Sequence, residues 1–264
     1  MIVRGLFHLH TRVSKDATLT HEEHSAHARA RGLDFLLFGE HRDRMTDDEV
    51  REAAARCDAL STDDLLLVPG QEQECPAPLH YHIVGVGVRE PIAATEPLAV
   101  VEEIRARGGV SVLAHPVRYR SHPPSAELLD AVDGIEAFNL RYDGHHGVRE
   151  EVRVRFDTHS GAVAFAGLDA HDPDDLARDG APVLAVEVSR LEEPALLEAL
   201  RAGRFTVERD GMPVDLRSPA SAARRMAATA RRGVFAVARG AKRGLDRVGL
   251  RLPGSWVRAV RRRF

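Results

Sequence analysis

The sequence predicts an α/β domain in which short parallel strands, joined by helices, close into a barrel-like ring. Three observations predict it. Apolar, β-branched runs alternate with amphipathic helical patterns, giving seven or so strand–helix steps in the first ~210 residues, which suits a ring better than a two-layer sandwich. The composition, 44% hydrophobic and 29% charged over 264 residues, is that of a chain able to bury one large core. Finally, histidines and carboxylates recur where one run after another ends.

The elements follow in order. Val3–Leu9 reads as the first strand and ends in His8 and His10, which alternation places on the same side. A helix is expected over His21–Arg31; its His21, His24 and His27, spaced three apart beside Glu22 and Glu23, read as a solvated face. Phe35–Gly39 is the second strand, ending in Glu40-His41, and Asp47–Leu60 the next helix, with Cys57 on its core side. Leu65–Pro69 is the third strand, followed by Gly70-Gln71-Glu72 and by Cys75, a loop thiol. Tyr81–Val86 carries His82, with His80 in the same parity as an alternative ligand. Leu98–Arg107 is helical, and the strand Val110–Ala114 leads into His115-Pro116. Gly134–Phe138 is a strand; His145-His146 lies in a Gly-flanked loop, and Val148–Thr158 has a helical pattern. Val163–Leu168 leads into Asp169-Ala170-His171. A last helix, Pro194–Ala202, has proline in its first turn and Gly203 as the residue that ends it.

In a parallel α/β ring the C-terminal strand ends share one face. About nine imidazoles and carboxylates gathered there are costly unless metal ions neutralise them. They exceed what one catalytic zinc uses, three protein ligands and an open position. Two or three divalent ions are therefore expected, with Glu72 the natural bridging carboxylate, and mixed imidazole–carboxylate ligation suits Zn, Mn or Fe better than Mg or Ca.

The ordered set His8-Leu9-His10, Ser14-Lys15-Asp16, Gly39-Glu40-His41, Pro69-Gly70-Gln71-Glu72, His82-Ile83-Val84-Gly85, Ala114-His115-Pro116 and Asp169-Ala170-His171 resembles the PHP (polymerase and histidinol phosphatase) family across residues 1–207. The resemblance implies a distorted seven-stranded β/α (TIM-like) barrel with a trinuclear metal centre. It implies that His8, His10, Glu72 and Asp169 hold one ion, Glu72, His82 and His115 a second, and Asp16, His41 and His171 a third. The chain departs from the family at Leu6 and Leu168, where Asp and Ser are frequent, and at Glu40, where Asp is common.

The chemistry expected is hydrolysis of a phosphomonoester, or of a nucleotide or short oligonucleotide phosphate, by a metal-bridging hydroxide. His41 or His171 is the candidate proton donor to the leaving oxygen. Arg118, beside Tyr119, is the candidate phosphate ligand because its planar fork matches phosphate oxygens; Arg42 and Arg141 have weaker claims. The segment Ala114–Tyr119 resembles PHP members that act on nucleotides and short RNA. Ala199-Leu200-Arg201-Ala202-Gly203-Arg204 instead resembles PHP-like hydrolases of carboxylic or carbamate esters, and that alternative stays open. So does a non-catalytic accessory module.

Net charge is −3, but between Ser218 and Phe264 the only acid is Asp246, so an acidic body (1–207) carries a basic extension (208–264) expected to be helical. An anionic membrane surface and nucleic acid are its candidate partners. No apolar run approaches the ~18–20 residues needed to span a bilayer. Two cysteines make no disulfide framework, so a cytoplasmic location is expected, with the extension allowing peripheral membrane contact.

Overall fold

A computed structural model describes residues 1–119, 122–143, 152, 161–178 and 180–216. Apart from Val152, the expected helix over Val148–Thr158, the His145-His146 pair and the basic extension beyond residue 216 lie outside the described residues.

All seven expected strands are present: β1 (Ile2–Leu9), β2 (Phe35–Phe38), β4 (Leu66–Val68), β6 (His82–Val86), β7 (Val110–Leu113), β8 (Gly134–Asn139) and β9 (Val163–Gly167). Two further segments, β3 (Glu40–His41) and β5 (Gly70–Glu74), continue β2 and β4 past Gly39 and Pro69. Each continuation changes sheet. With β10 (Val183–Glu187), β11 (Phe205–Arg209) and β12 (Met212–Val214), one sheet has the order β12-β11-β10-β1-β2-β4 and the other β3-β5-β6-β7-β8-β9. The sheets also meet at β1, whose first half pairs with β10 while its last residues bond to the end of β9: Leu168 N donates to Phe7 O (3.0 Å) and His10 N to Ala170 O (3.0 Å).

The expectation of parallel strands needs correction. β6 runs antiparallel to both β5 and β7. The reason is the link: only residues 75–81 join β5 to β6, too few for the helical crossover that parallel neighbours need. The reversal matters for the site, because it brings the first residue of β6, His82, to the end of the sheet where the other strands finish.

Three C-terminal strands were also not expected. β10 (Val183–Glu187) lies antiparallel on β1, and β11 (Phe205–Arg209) and β12 (Met212–Val214) extend that sheet beyond residue 207. Asp210 and Gly211 join the last two strands with φ of 52° and 74°, the left-handed pair of a two-residue hairpin.

The helices begin where their caps dictate. α1 (His21–Ala30) and α2 (Asp47–Leu60) each open with a reciprocal capping box, Thr20 with Glu23 and Thr46 with Glu49. α3 (Pro97–Ala106) starts with proline in its first turn, as does the helix Glu193–Arg201, which ends before Gly203 at φ 67°. The core between and around the sheets is filled by fully buried Phe7, Phe35, Phe38, Phe138 and Phe165, with Phe7 and Phe165 rings 5.4 Å apart across β1 and β9. Cys57 is buried on α2, and Cys75 is buried too. No helix among the described residues is long and apolar enough to cross a membrane.

Candidate metal centre

His8 and His10 do not simply alternate along a strand. Phe7 pairs with Leu37 and Leu9 with Phe38, so His8 is the extra residue of a β-bulge, with φ 66°. His115 (φ 28°) and Asp169 (φ 53°), just past β7 and β9, share this unusual left-handed geometry. Such residues cost about 1–3 kcal/mol each and concentrate where a fold aims side chains at a function. The three bends turn His8, His115 and Asp169 toward one cluster.

Glu72, on β5, is where His8 and His115 meet, while Asp169 Oδ1 lies 3.4 Å from His10 Nε2 beside them. Glu72 Oε1 lies 2.9 Å from His82 Nδ1, 2.9 Å from His115 Nε2 and 3.5 Å from His8 Nε2. Its Oε2 lies 2.9 Å from His41 Nδ1 and 3.6 Å from His10 Nε2. The two oxygens of one carboxylate thus face two different sets of imidazoles. Four groups bring ligand atoms within 4.8 Å of one another: His8/His10/Asp169, His8/Glu72/His115, His41/Glu72/His82 and His10/His41/His171. Asp16 reaches in from an exposed loop, its Oδ2 3.5 Å from His41 Nε2 and 3.3 Å from His171 Nε2. All nine candidate ligands therefore adjoin one another, with groupings somewhat different from those implied by the resemblance: His8 also joins Glu72 and His115, and His10 joins His41 and His171.

These residues fit divalent ions on two counts. His8 Nε2, His10 Nε2 and Glu72 Oε2 are buried with no hydrogen-bond partner, although each is close to other ligand atoms. An orphaned buried polar atom costs about 1–3 kcal/mol, and a cation among these lone pairs satisfies them together. The donors, imidazole nitrogen and carboxylate oxygen, suit Zn, Mn or Fe.

Two buried carboxylates outside the nine expected ligands hold the histidine pair: Glu136, which the sequence analysis did not single out, and Glu40, which it placed in the Gly39-Glu40-His41 motif. Glu136, on β8, has Oε1 3.0 Å from His8 Nδ1, while its Oε2 accepts from His115 N (2.7 Å) and Asn139 Nδ2 (2.8 Å). Glu40 accepts from Thr11 N and, at 2.5 Å, from Ser14 Oγ. Ser14 Oγ in turn accepts from His41 N (2.9 Å) and lies 3.3 Å from His10 Nδ1. The sequence signal for Glu136 was a lone acid inside an otherwise apolar strand, Gly134-Ile135-Glu136-Ala137-Phe138.

Electrostatics follow from burial against charge. Burial pushes His10 down to about 3, so its ring is neutral and its nitrogen free to ligate. Burial lowers His115 as well. For His8 burial is opposed by Glu136 and Glu72, which hold it well above its ordinary value, and for His41 by Glu72. Glu72 stays well below the usual carboxylate range despite burial, because His82 and His8 face it. Asp169 is likewise held down, against burial, chiefly by His10.

Around this centre stand three exposed arginines, each anchored on a candidate ligand. Arg44 Nη1 lies 2.6 Å from Asp16 Oδ2. Arg118 Nη1 is 3.3 Å from His82 Nε2 and its guanidinium sits 5.7 Å from the Tyr142 ring. Arg141 Nη1 donates to Asp169 O at 3.3 Å. Arg42 is turned instead to Ile92 O, Met45 O and Asp47. Tyr119 OH accepts from His82 N (2.7 Å) and lies 3.4 Å from His115 Nδ1. His80 is exposed and bonds Glu74, outside the cluster.

The helix histidines require a correction. His21 and His24 are buried, not solvated. They pack on Phe38, at centroid distances of 4.8 and 5.5 Å, and His24 Nε2 donates to His10 O at 3.0 Å. A neutral imidazole has an apolar face and can be buried once a polar atom finds a partner; a polar count along the helix treats it as charged.

No protein-family model matches the chain, and no curated protein matches it significantly. Solved structures do. A two-domain protein from Bacteroides vulgatus, named as containing a predicted PHP-like metal-dependent phosphoesterase, matches with a TM-score of 0.64 at 16% identity, over 81% of this chain and 67% of that one. A Bifidobacterium adolescentis structure, provisionally named a metal-dependent phosphoesterase, matches with a TM-score of 0.47 at 18% identity, over 63% and 87% of the two chains. An amidohydrolase from Chromobacterium violaceum also gives 0.47 at 18% identity, over 78% and 97%. With the first of these matches added to its ordered motifs, the chain has the fold of a PHP-like metal-dependent phosphoesterase.

Proposed function

We propose that this protein is a metal-dependent phosphoesterase acting on a phosphomonoester or a nucleotide-type phosphate. The observation that carries the reading is Glu72, whose two oxygens face separate sets of buried imidazoles, with unpartnered lone pairs at His8 Nε2, His10 Nε2 and Glu72 Oε2. We take the two sheets, joined through β2–β3, β4–β5 and the β1–β9 bonds, as one distorted seven-stranded barrel whose rim carries the nine ligands His8, His10, Asp16, His41, Glu72, His82, His115, Asp169 and His171. Two or three Zn, Mn or Fe ions held there would supply Lewis-acid polarisation and an ionised water.

The chain's own residues do the rest. Arg118, after His115, and Arg141, in the helical turn after β8, bind and orient phosphoryl oxygens. His41 or His171, both beside Asp16, is the residue we assign to protonate the leaving oxygen when its ring is not holding an ion. The name of the Bacteroides vulgatus structure supports the phosphoester class. The run Ala199–Arg204 favours no ester substrate: it ends the helix Glu193–Arg201, where Arg201 bonds Gly108 O and Gly109 O and Arg204 pairs with Glu198. The basic extension we assign to an anionic surface, with truncation near Pro219 and liposome and RNA co-sedimentation as the check.

The test is a panel of phosphomonoesters, nucleotides, short RNAs and carboxylic esters with Mn or Zn added, run on the wild type and on His8→Ala/His10→Ala. Phosphate release by the wild type alone is expected. Turnover restricted to carboxylic esters, or surviving the double substitution, overturns the assignment.

A further inference from the structure

We infer that Glu136 and the Ser14–Glu40 pair are positioning residues for two different metal subsites, each locking one histidine of the His8–His10 pair with its Nε2 lone pair turned inward. The inference rests on the metal-dependent reading above. Glu136 joins two ligand segments, taking His8 Nδ1 on one oxygen and the backbone N–H of His115 on the other. Both belong to the His8/Glu72/His115 group. Ser14 joins two others: its hydroxyl donates to Glu40, accepts from His41 N and faces His10 Nδ1. His10 and His41 belong to the His10/His41/His171 group. Because the Ser14 proton is committed to Glu40, Ser14 can only accept from His10, so His10 carries its proton on Nδ1 and leaves Nε2 free. Glu136, an acceptor, imposes the same arrangement on His8. A ligating imidazole held through its other nitrogen by a carboxylate or hydroxyl is fixed in both tautomer and orientation. Here the two supports share no residue and come from different strands of one sheet, Glu136 from β8 and Glu40 from β3. Each support can therefore be removed without the other, although His8 and His10 also meet in the His8/His10/Asp169 group.

Glu136→Gln is a sharp probe. Oε2 already accepts from His115 N and Asn139 Nδ2, so the amide oxygen must stay there and the amide NH2 faces His8 Nδ1. It then donates, forcing the His8 proton onto Nε2, where an ion should bind. Ser14→Ala removes the acceptor for His10 Nδ1 and His41 N. Zinc titration of the full chain by calorimetry, with histidine-ring 15N shifts to show which rings are ligated, separates the outcomes. The wild type is expected to bind at least two ions, through Nε2 of both His8 and His10. Glu136→Gln should weaken the ion on His8 and His115 about 10–100-fold and spare the one on His41 and His171; Ser14→Ala should do the reverse. Both variants losing the same ion, or neither losing affinity, overturns the inference, as does Nδ1 ligation of His8 or His10 in the zinc-loaded wild type, a measurement that needs no variant to fold. A wild type that binds no zinc, manganese or iron defeats the metal-dependent reading instead.

Discussion

Burial of His21 and His24 makes the stability of this fold depend on pH in a window away from neutrality. Both rings pack on Phe38, and burial drives each from an ordinary 6.5 down to about 4. Their folded values lie below the unfolded one, so on acidification the unfolded chain takes up protons first. Stability from these groups is complete above about pH 6.5 and is lost progressively as pH falls toward about 4. A gap of about 2.5 pH units, at ~1.4 kcal/mol per unit, gives about 3 kcal/mol for each histidine. Set against a typical domain stability of roughly 5–15 kcal/mol, either one is a substantial share. Urea unfolding of the metal-free protein at pH 7.5, 5.5 and 4.5 measures the loss, and His21→Leu or His24→Gln isolates each contribution. Each variant should lose about 2.5 kcal/mol less than the wild type between pH 7.5 and 4.5, whatever its stability at pH 7.5. Stability curves that run parallel in wild type and variants would show that these rings are solvated and the burial argument is wrong.

Other expectations follow from the centre itself. A Cβ on Gly167 would overlap Glu136 Oε1 and come within 2.9 Å of His8 Cβ, so Gly167→Ala should cost about 1–3 kcal/mol and weaken metal binding together; thermal melts with a zinc titration check both. Chelation should lower the melting temperature, and readding zinc at about 100 times its dissociation constant should return roughly 3 kcal/mol, read by unfolding in matched buffers. Arg118→Ala should raise KM for a phosphate ester about tenfold with kcat little changed, and Arg118→Lys should recover only part, because lysine lacks the planar fork; steady-state kinetics on one phosphate ester decide this.

Much of the centre is legible in the linear chain because imidazole and carboxylate side chains have few other reasons to recur at strand ends. His8, His10, His41, His115, Asp169 and His171 all stand in such places, and capping boxes at Thr20 and Thr46 mark two helix starts by local hydrogen bonding alone. What local chemistry could not reveal are relations across distance. Glu136 sits 128 residues from His8 and Glu40 26 from Ser14, and an acid inside a strand looks the same whether it faces water or a ligand. The polar spacing of His21 and His24 gives no sign that Phe38 lies against them.

The chain by itself thus determined the alternation of strands and helices and the residue types of a metal centre, since periodicity and side-chain chemistry are properties of neighbours in sequence. Only the tertiary structure decided the reversal of β6 that brings His82 to Glu72, the left-handed turns at His8, His115 and Asp169, and the division of the imidazoles between two carboxylate oxygens. Those depend on strand pairing and backbone strain balanced over the whole domain, and no local pattern encodes them.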